Sequence, residues 1–321
     1  VDEFDLIERL RQRFEGATET ALSPPSSASS SRSSSSSWVE VGIGDDGAVV
    51  VLQGGDRLVL SVDAVVEGVH FDLDLGDLED AGWKAVMVAT SDLAAMGAVP
   101  GYALVSVAAP PGLELDRFGA GLAEGAARLG VRVVGGDLTA GPALCCSVTV
   151  VGLLAPDEPP LRRAGALPGD AVFVTGPLGG AAAGLRLLQA GGTVPEALAL
   201  AYRRPHARVA EGRAARTAGA RATVDVSDGL AADIRHLAAA SSVGIVLDEV
   251  PVAEGATTGE ALGGGEDYEL VLTCPDPDRL REAFAAVGLR LPIEIGRCTD
   301  QAGEVRLGDG PLPEGGWHHR F

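Results

Sequence analysis

The sequence predicts an α/β protein of two domains with mixed sheets. Three observations carry this. Short β-branched runs such as Ala48–Leu52, Leu58–Val62 and Ala171–Thr175 have strand length and alternate with longer Ala- and Leu-rich runs of helical length. A stretch rich in proline and charge, residues 155–169, interrupts the pattern near its middle. The chain has 321 residues, 46% of them apolar, which is enough for one large or two ordinary cores.

Within residues 1–22, Phe4, Leu6, Ile7, Leu10 and Phe14 recur at helical spacing, so an amphipathic N-terminal helix is expected there. Residues 23–37, SPPSSASSSRSSSSS, cannot bury surface and read as a disordered linker without chemistry. Residues 38–155 form the first domain. Its two opening strands are followed by a helix from Asp77 to the glycine stop at Gly97, with Asp80 near its start. Next come a strand at Tyr102–Ala109, ended by Pro110-Pro111-Gly112, and a helix over Leu115–Leu129. Strands at Val131–Val134 and Cys145–Leu154 flank a Gly135-Gly136-Asp137 turn. Residues 156–321 form the second domain. It opens with strand Ala171–Thr175, the glycine turn 176–180 and a helix to Ala190. A helix over Val209–Thr217, a strand at Ala222–Val224 and a helix over Leu230–Ala240 follow. Strand Gly244–Leu247, a glycine turn entering a strand that ends at Cys274, and helix Pro277–Val287 come next, and strands Ile293–Gly296 and Glu304–Leu307 close the sheet.

Composition excludes several functions. A net charge of −20 argues against nucleic acid or an anionic membrane as partner. It is compatible with a small anionic substrate if metal ions offset the site's own charge. No apolar run approaches the roughly 20 residues of a membrane span, and the acidic start VDEFDLIERL lacks the order of a signal peptide, so a cytoplasmic protein is expected. Cys145, Cys146, Cys274 and Cys298 show no CxxC spacing and read as buried free thiols. Lys84 is the only lysine, and both the GxxxxGK[ST] phosphate loop and the protein-kinase motifs are missing. Any ATP chemistry must use another architecture.

Acids recur where apolar runs end. Asp45 and Asp46 precede one strand and Asp63 follows the next. Asp92 interrupts an apolar helix, Asp137 follows a strand, and Asp225 and Asp228 precede a helix. Between such carboxylates a hard cation such as Mg²⁺ could bind and bridge to phosphates; each acid alone reads equally as turn or capping chemistry. Ser227 or Asp228 could cap the helix at Leu230, whose N-terminus favours phosphate. His70 is either a substrate contact or a satisfied strand-end residue. Arg162 and Arg163, at the domain junction, could reach phosphates or stay solvated. Glu266 and Asp267 follow three glycines in a closely approached loop or a plain hairpin. The turn before the helix at 181 is a weak phosphate-loop lookalike with no lysine.

Order and spacing together say more. GIGDDGAVV, SVDAVVEGVHF, KAVMVATSDLAAMGAVP, VVGGDLTAGP, RRAGALPGDAVFVTGPLG, VDVSDGLAADIRHL, GGGEDYEL and a closing GGWHHRF resemble the thiamine-monophosphate kinases, over nearly the whole chain apart from the serine run. These belong to the ATP-binding superfamily of the aminoimidazole ribonucleotide synthetases. The resemblance implies the superfamily's two-domain fold, with N-terminal sheets pairing in a homodimer. It implies transfer from ATP, with several Mg²⁺ ions, to thiamine monophosphate, giving thiamine diphosphate in line and without a phosphoenzyme. Position by position, Asp46, Ser61, Val62, Asp63, Asp92, Asp137, Asp225 and Asp228 resemble metal contacts. Gly136, Asp137, Arg163 and Ser227 resemble nucleotide contacts, and His70, Glu266 and Trp317 substrate contacts. Val62 stands where relatives often carry threonine, so a metal contact there must use the backbone carbonyl. The alternatives are another ATP-dependent phosphotransferase or synthetase of the superfamily, or a non-catalytic nucleotide–Mg²⁺ binding protein.

Overall fold

A computed structural model describes residues 6–12 and 38–317. Residues 6–12 are helical (α1). The serine run 23–37, the ends of the expected N-terminal helix and the tail beyond Trp317 lie outside the described residues.

The first sheet has six strands: β1 (Val39–Val41), β2 (Ala48–Val51), β3 (Arg57–Val66), β4 (Val99–Ala109), β5 (Arg132–Ala140) and β6 (Cys145–Leu154), in the order β1-β2-β3-β6-β4-β5. Only β4 and β5 run parallel; the other pairs are antiparallel. Helices α2 (Leu78–Ala95) and α3 (Leu115–Leu129) cover one face, where Val59, Val65, Val105, Val148 and Val150 meet Val86, Leu93, Phe118 and Leu122. Asp77 caps α2 by accepting the Asp80 N–H at 2.9 Å. Fifteen of the eighteen residues of α2 are buried, because the second domain covers what the first sheet leaves open.

Two expectations change here. The second strand does not stop before Asp63. It runs on to Val66 because β6 pairs with it over ten residues, which places Asp63 mid-strand opposite Val148. Nor is Gly135-Gly136-Asp137 a turn: it lies inside β5, where Gly136 pairs with Val105. A Cβ at Gly136 would sit 1.8 Å from the Val105 carbonyl oxygen, so glycine here permits close strand approach rather than a bend.

The second sheet has seven strands: β7 (Ala171–Val174), β8 (Ala222–Asp225), β9 (Gly244–Leu247), β10 (Leu270–Cys274), β11 (Ile293–Thr299), β12 (Val305–Leu307) and β13 (Gly310–Pro311), ordered β13-β12-β9-β11-β7-β10-β8. It is covered on both faces, so its strands read as continuous apolar runs. Val172, Val174 and Val271 pack with Leu230, Ile234 and Leu237 of α7 (Leu230–Ser241). Phe173, Leu270 and Leu272 pack with α6 (Val209–Ala218) and α9 (Pro277–Ala286), and Ala94 and Ala95 at the end of α2 join this second core. The remaining helices are α4 (Gly180–Ala190), α5 (Glu196–Arg203) and α8 (Thr258–Gly263). The last two were not expected; they are short and sit between Gly- and Pro-rich stretches that mask their periodicity. The four cysteines are free, and burial pushes the Cys146 and Cys298 thiols up to about 12.

Candidate active site

A cleft of ≈ 850 Å³ opens between the two domains. The β1–β2 loop, β3, α2, the segment entering β7, the β8–α7 turn, the loop before β10 and the C-terminal segment all line it. It gathers Asp46, Ser61, Val62, Asp63, His70, Asp92, Arg163, Asp225, Ser227, Asp228, Glu266 and Trp317, twelve of the fourteen residues expected at the site.

The carboxylates form its floor. One oxygen from each of Asp46, Asp92 and Asp225 lies within 4.8 Å of the others. Ser61 Oγ donates to Asp92 Oδ2, and Ser91 Oγ donates to Asp225 Oδ2 at 2.6 Å. Ser61 and Asp63 alternate with Val62 along β3, so both share the face turned to α2 while the Val62 side chain is exposed on the other. Arg163 donates through Nε (2.8 Å) and Nη2 (2.5 Å) to Asp46 Oδ1, and its backbone N–H donates to Asp45 Oδ1 at 3.1 Å.

One cation cannot neutralise this set. Burial, reinforced by Asp225 and Asp45 and opposed by Arg163, pushes Asp46 up to about 7. Burial with Asp225 nearby pushes Asp63 up to about 6, and Asp92 and Asp225 are also raised, chiefly by burial. Asp46 Oδ2 is buried with no hydrogen-bond partner. An orphaned lone pair among clustered hard oxygens is what a hard divalent cation such as Mg²⁺ satisfies, and the residues present fit such an ion.

The raised values set a pH dependence. A carboxyl group whose folded pKa exceeds its unfolded one binds more protons when folded, so it costs stability as pH rises from about 4 through the folded value. Between pH 5 and 7.5 the metal-free protein should lose about 5 °C or more of thermal midpoint. Mg²⁺ should restore most at the high end, because it displaces the protons. Melting curves on wild type and on Asp46→Asn check this, and Asp46→Asn should flatten the slope. An unchanged slope would mean that this carboxyl is ionised throughout.

The other wall comes from the second domain. Neither Ser227 nor Asp228 caps α7, contrary to expectation: the N-cap is Gly229, without a side-chain bond. Asp233, inside the first turn, reaches back to accept the N–H groups of Asp228 (3.2 Å) and Gly229 (3.0 Å). Burial, with Asp228 and Asp225 nearby, raises its carboxyl. The loop before β10 places Glu266 and Tyr268 at φ 59° and 49°, a left-handed backbone that disfavours side chains. It is held by Glu266 N–H to the Ser227 carbonyl (2.8 Å) and Tyr268 N–H to the Val226 carbonyl (2.9 Å). Between them, Asp267 accepts the Gly179 N–H (2.6 Å) and the Ala181 N–H (3.2 Å) at the start of α4. A carboxylate of the chain itself thus fills the phosphate-loop lookalike. Trp317 is tied by its N–H to the Asp228 carbonyl at 2.9 Å and is half exposed over the cleft. Gly316 before it has φ +120°, and a Cβ there would meet the Ala232 Cβ at 2.6 Å.

Gly136 and Asp137 do not line this cleft. Asp63 is opposite Val148, Val148 opposite Val105, and Val105 opposite Gly136. Three strand spacings, roughly 14 Å, separate them from Asp63. They lie on β5, the sheet edge, all nine residues of which are exposed. Sequence reasoning missed Asp233, Ser91 and the contacts of Lys84. An acid four residues into a helix that follows Asp-Gly was the one available signal for Asp233.

Comparison with known proteins places this geometry. Residues 44–154 match the family model of the AIR synthase related protein, N-terminal domain, and residues 168–308 match the C-terminal domain. Thiamine-monophosphate kinase of Bacillus subtilis (strain 168) is 37% identical over 277 residues, 80% of this chain and 84% of that protein. The thiamine-monophosphate kinase of Escherichia coli (strain K12) is 37% identical over 279 residues, 81% of this chain and 85% of its own length. A solved structure described as "AaThiL complexed with AMPPCP and TMP" superposes with a TM-score of 0.82 at 32% identity, covering 99% of this chain and 97% of that one. A hydrogenase maturation protein HypE in complex with ATP has a TM-score of 0.66 at 20% identity, covers 81% of this chain and 84% of that one, and shares the fold. With both domains matched in order and curated relatives above one-third identity along most of its length, the chain belongs to the thiamine-monophosphate kinase family of AIR synthase related proteins.

Proposed function

We propose that this protein transfers the γ-phosphoryl group of ATP directly to thiamine monophosphate, giving thiamine diphosphate and ADP. The observation that carries the reading is the cluster of Asp46 and Asp225, both buried, with half-buried Asp92, in a cleft that also holds Glu266, His70 and Trp317. The acceptor is itself a phosphate oxygen with a second pKa of roughly 6, so at neutral pH no side chain has to remove its proton. The task is to bring two anions together, which is positioning and charge neutralisation. Asp46, Asp63, Asp92, Asp225 and Asp228, with Ser61 and the Val62 carbonyl, would hold Mg²⁺. These ions would supply Lewis-acid neutralisation and templating of the phosphate oxygens. Arg163 and Ser227 would contact the nucleotide phosphates. Trp317 offers an aromatic face to the cationic ring of the acceptor. His70, whose Nδ1 accepts the Val66 N–H at 3.1 Å, and Glu266 would orient the acceptor.

Gly136 and Asp137 enter the same reading through a homodimer. An edge strand with every residue exposed is an unpaired template, and Val62, Leu104, Val134 and Leu138 add exposed apolar surface to the sheet around it. Pairing of two first domains through these sheets would cover that surface, and would carry Asp137 and Gly136 of each copy toward the other copy's cleft. The free cysteines, three of the four buried, suit a reducing cytoplasm; among the described residues no helix is long and apolar enough to cross a membrane.

The test is product analysis with ATP, Mg²⁺ and thiamine monophosphate, on wild type and on Trp317→Ala. Wild type should form thiamine diphosphate and ADP in equal amounts. Trp317→Ala should raise the KM for thiamine monophosphate roughly tenfold and leave the KM for ATP unchanged. ADP without thiamine diphosphate would move the reading to another acceptor. Bound nucleotide without turnover would favour a binding protein.

A further inference from the structure

The chain carries its fixed positive charge on arginine everywhere except at Lys84. That side chain is 1% exposed, on α2, eight residues before Asp92. Its ammonium has three partners. It donates to the His70 backbone carbonyl at 2.6 Å, pairs with Glu266 Oε1 at 2.9 Å, and lies 4.5 Å from the centre of the Tyr202 ring. One N–H bonds the His70 carbonyl, while the carboxylate and the π-face offset the buried charge through space; Glu266 Oε1, itself buried, has the ammonium as its ion-pair partner and no hydrogen-bond partner. These partners come from separate parts of the fold. His70 belongs to the turn after β3, Glu266 to the strained loop of the second domain, and Tyr202 to α5.

We propose that Lys84 is a positioning residue for the acceptor end of the site. It sets the distance between Glu266 and the His70 turn across the domain boundary, and so governs affinity for the phosphate-bearing acceptor and not for ATP. This rests on the assignment of Glu266 and His70 as acceptor contacts. Lys84 does not line the cleft, so it acts only through the groups it holds. Glu266 sits on a left-handed backbone and its side chain is partly exposed, and the Lys84 ammonium is the fixed charge beside its Oε1. A lysine suits the place: a compact ammonium can take three divergent partners in a closed space, where a planar guanidinium could not.

The measurement is steady-state kinetics and thiamine monophosphate calorimetry on Lys84→Met, Glu266→Gln and the double variant, each checked for an intact melting transition and Mg²⁺–ATP binding. Lys84→Met should raise the acceptor KM and dissociation constant roughly ten- to a hundredfold with the ATP KM within twofold of wild type. The double variant should be no worse than Glu266→Gln alone, because both changes break one linkage. If Lys84→Met does not fold, Tyr202→Leu, which removes the ring but keeps the charge, should shift the acceptor KM the same way by about threefold or more. Additive effects, an equal rise in the ATP KM, or an unchanged acceptor KM in a wild type that turns over would overturn the proposal. A wild type that neither binds nor phosphorylates thiamine monophosphate would instead overturn the acceptor assignment and this proposal with it.

Discussion

Asp225→Asn should lower kcat by roughly a thousandfold while raising the thermal midpoint of the metal-free protein by about 3 °C or more. Both effects come from one geometry. Asp225 ends β8, fully paired with β10, so its carboxylate is held rigidly in the cleft. It is 3% exposed, faces Asp46 and Asp92, and accepts from Ser91 Oγ. An asparagine keeps the shape and the Ser91 bond through its carbonyl oxygen, but removes the negative charge. Without a cation that charge is a liability, since burial and neighbouring acids raise the carboxyls of this cluster. With a cation it would be a ligand. The variant should therefore be more stable alone, gain less from Mg²⁺, and transfer phosphate slowly even when Mg²⁺ is in excess. Melting curves with and without Mg²⁺, beside kcat, read all three. Activity within tenfold of wild type would remove Asp225 from the metal set.

If the protein is a homodimer with shared sites, heterodimers of Asp225→Asn and Asp137→Asn chains should recover about half of the wild-type activity, although each homodimer should be nearly inactive. Asp137 lies three strand spacings from Asp63 on an edge strand, so it cannot share a cation with the cleft acids of its own chain. If it serves the partner's cleft, the mixed dimer contains one site with both defects and one with neither. If it served its own chain, each site of the mixed dimer would carry one defect and no activity would return. Differently tagged chains, co-expressed and purified through both tags, give the species required. A protein that remains monomeric in solution would sink the shared-site reading before any kinetics.

The cleft was largely legible because its residues sit in local contexts with strong punctuation. Asp225-Val-Ser-Asp-Gly between an apolar run and a helix marks a strand–turn–helix corner whichever way it packs. The sequence does not show the full length of β3, because Asp63 looks like a terminator and only pairing with β6 over ten residues carries the chain through it. Gly135-Gly136-Asp137 reads as a turn, because two glycines signal one unless a neighbouring backbone needs their space. The start of α7 differs because Asp233, from within the helix, accepts the Asp228 and Gly229 N–H groups and leaves Gly229 at the cap position.

Sequence alone determined the two-domain α/β order, most element positions, the recurrence of acids at element ends and the resemblance that joins them. These depend on periodicity and on residues near one another in the chain. Tertiary structure alone decided which acids meet. It brought Asp46, Asp92 and Asp225 together from a loop, a helix and a strand of two domains, and set Asp137 on the far edge of its sheet. It also decided the part played by Lys84, an isolated residue in an apolar helix until His70, Glu266 and Tyr202 converge on it. The physical reason is the cost of burying charge. An ionised group stays inside only where the fold supplies its partners, and partners distant in sequence leave no mark beside it.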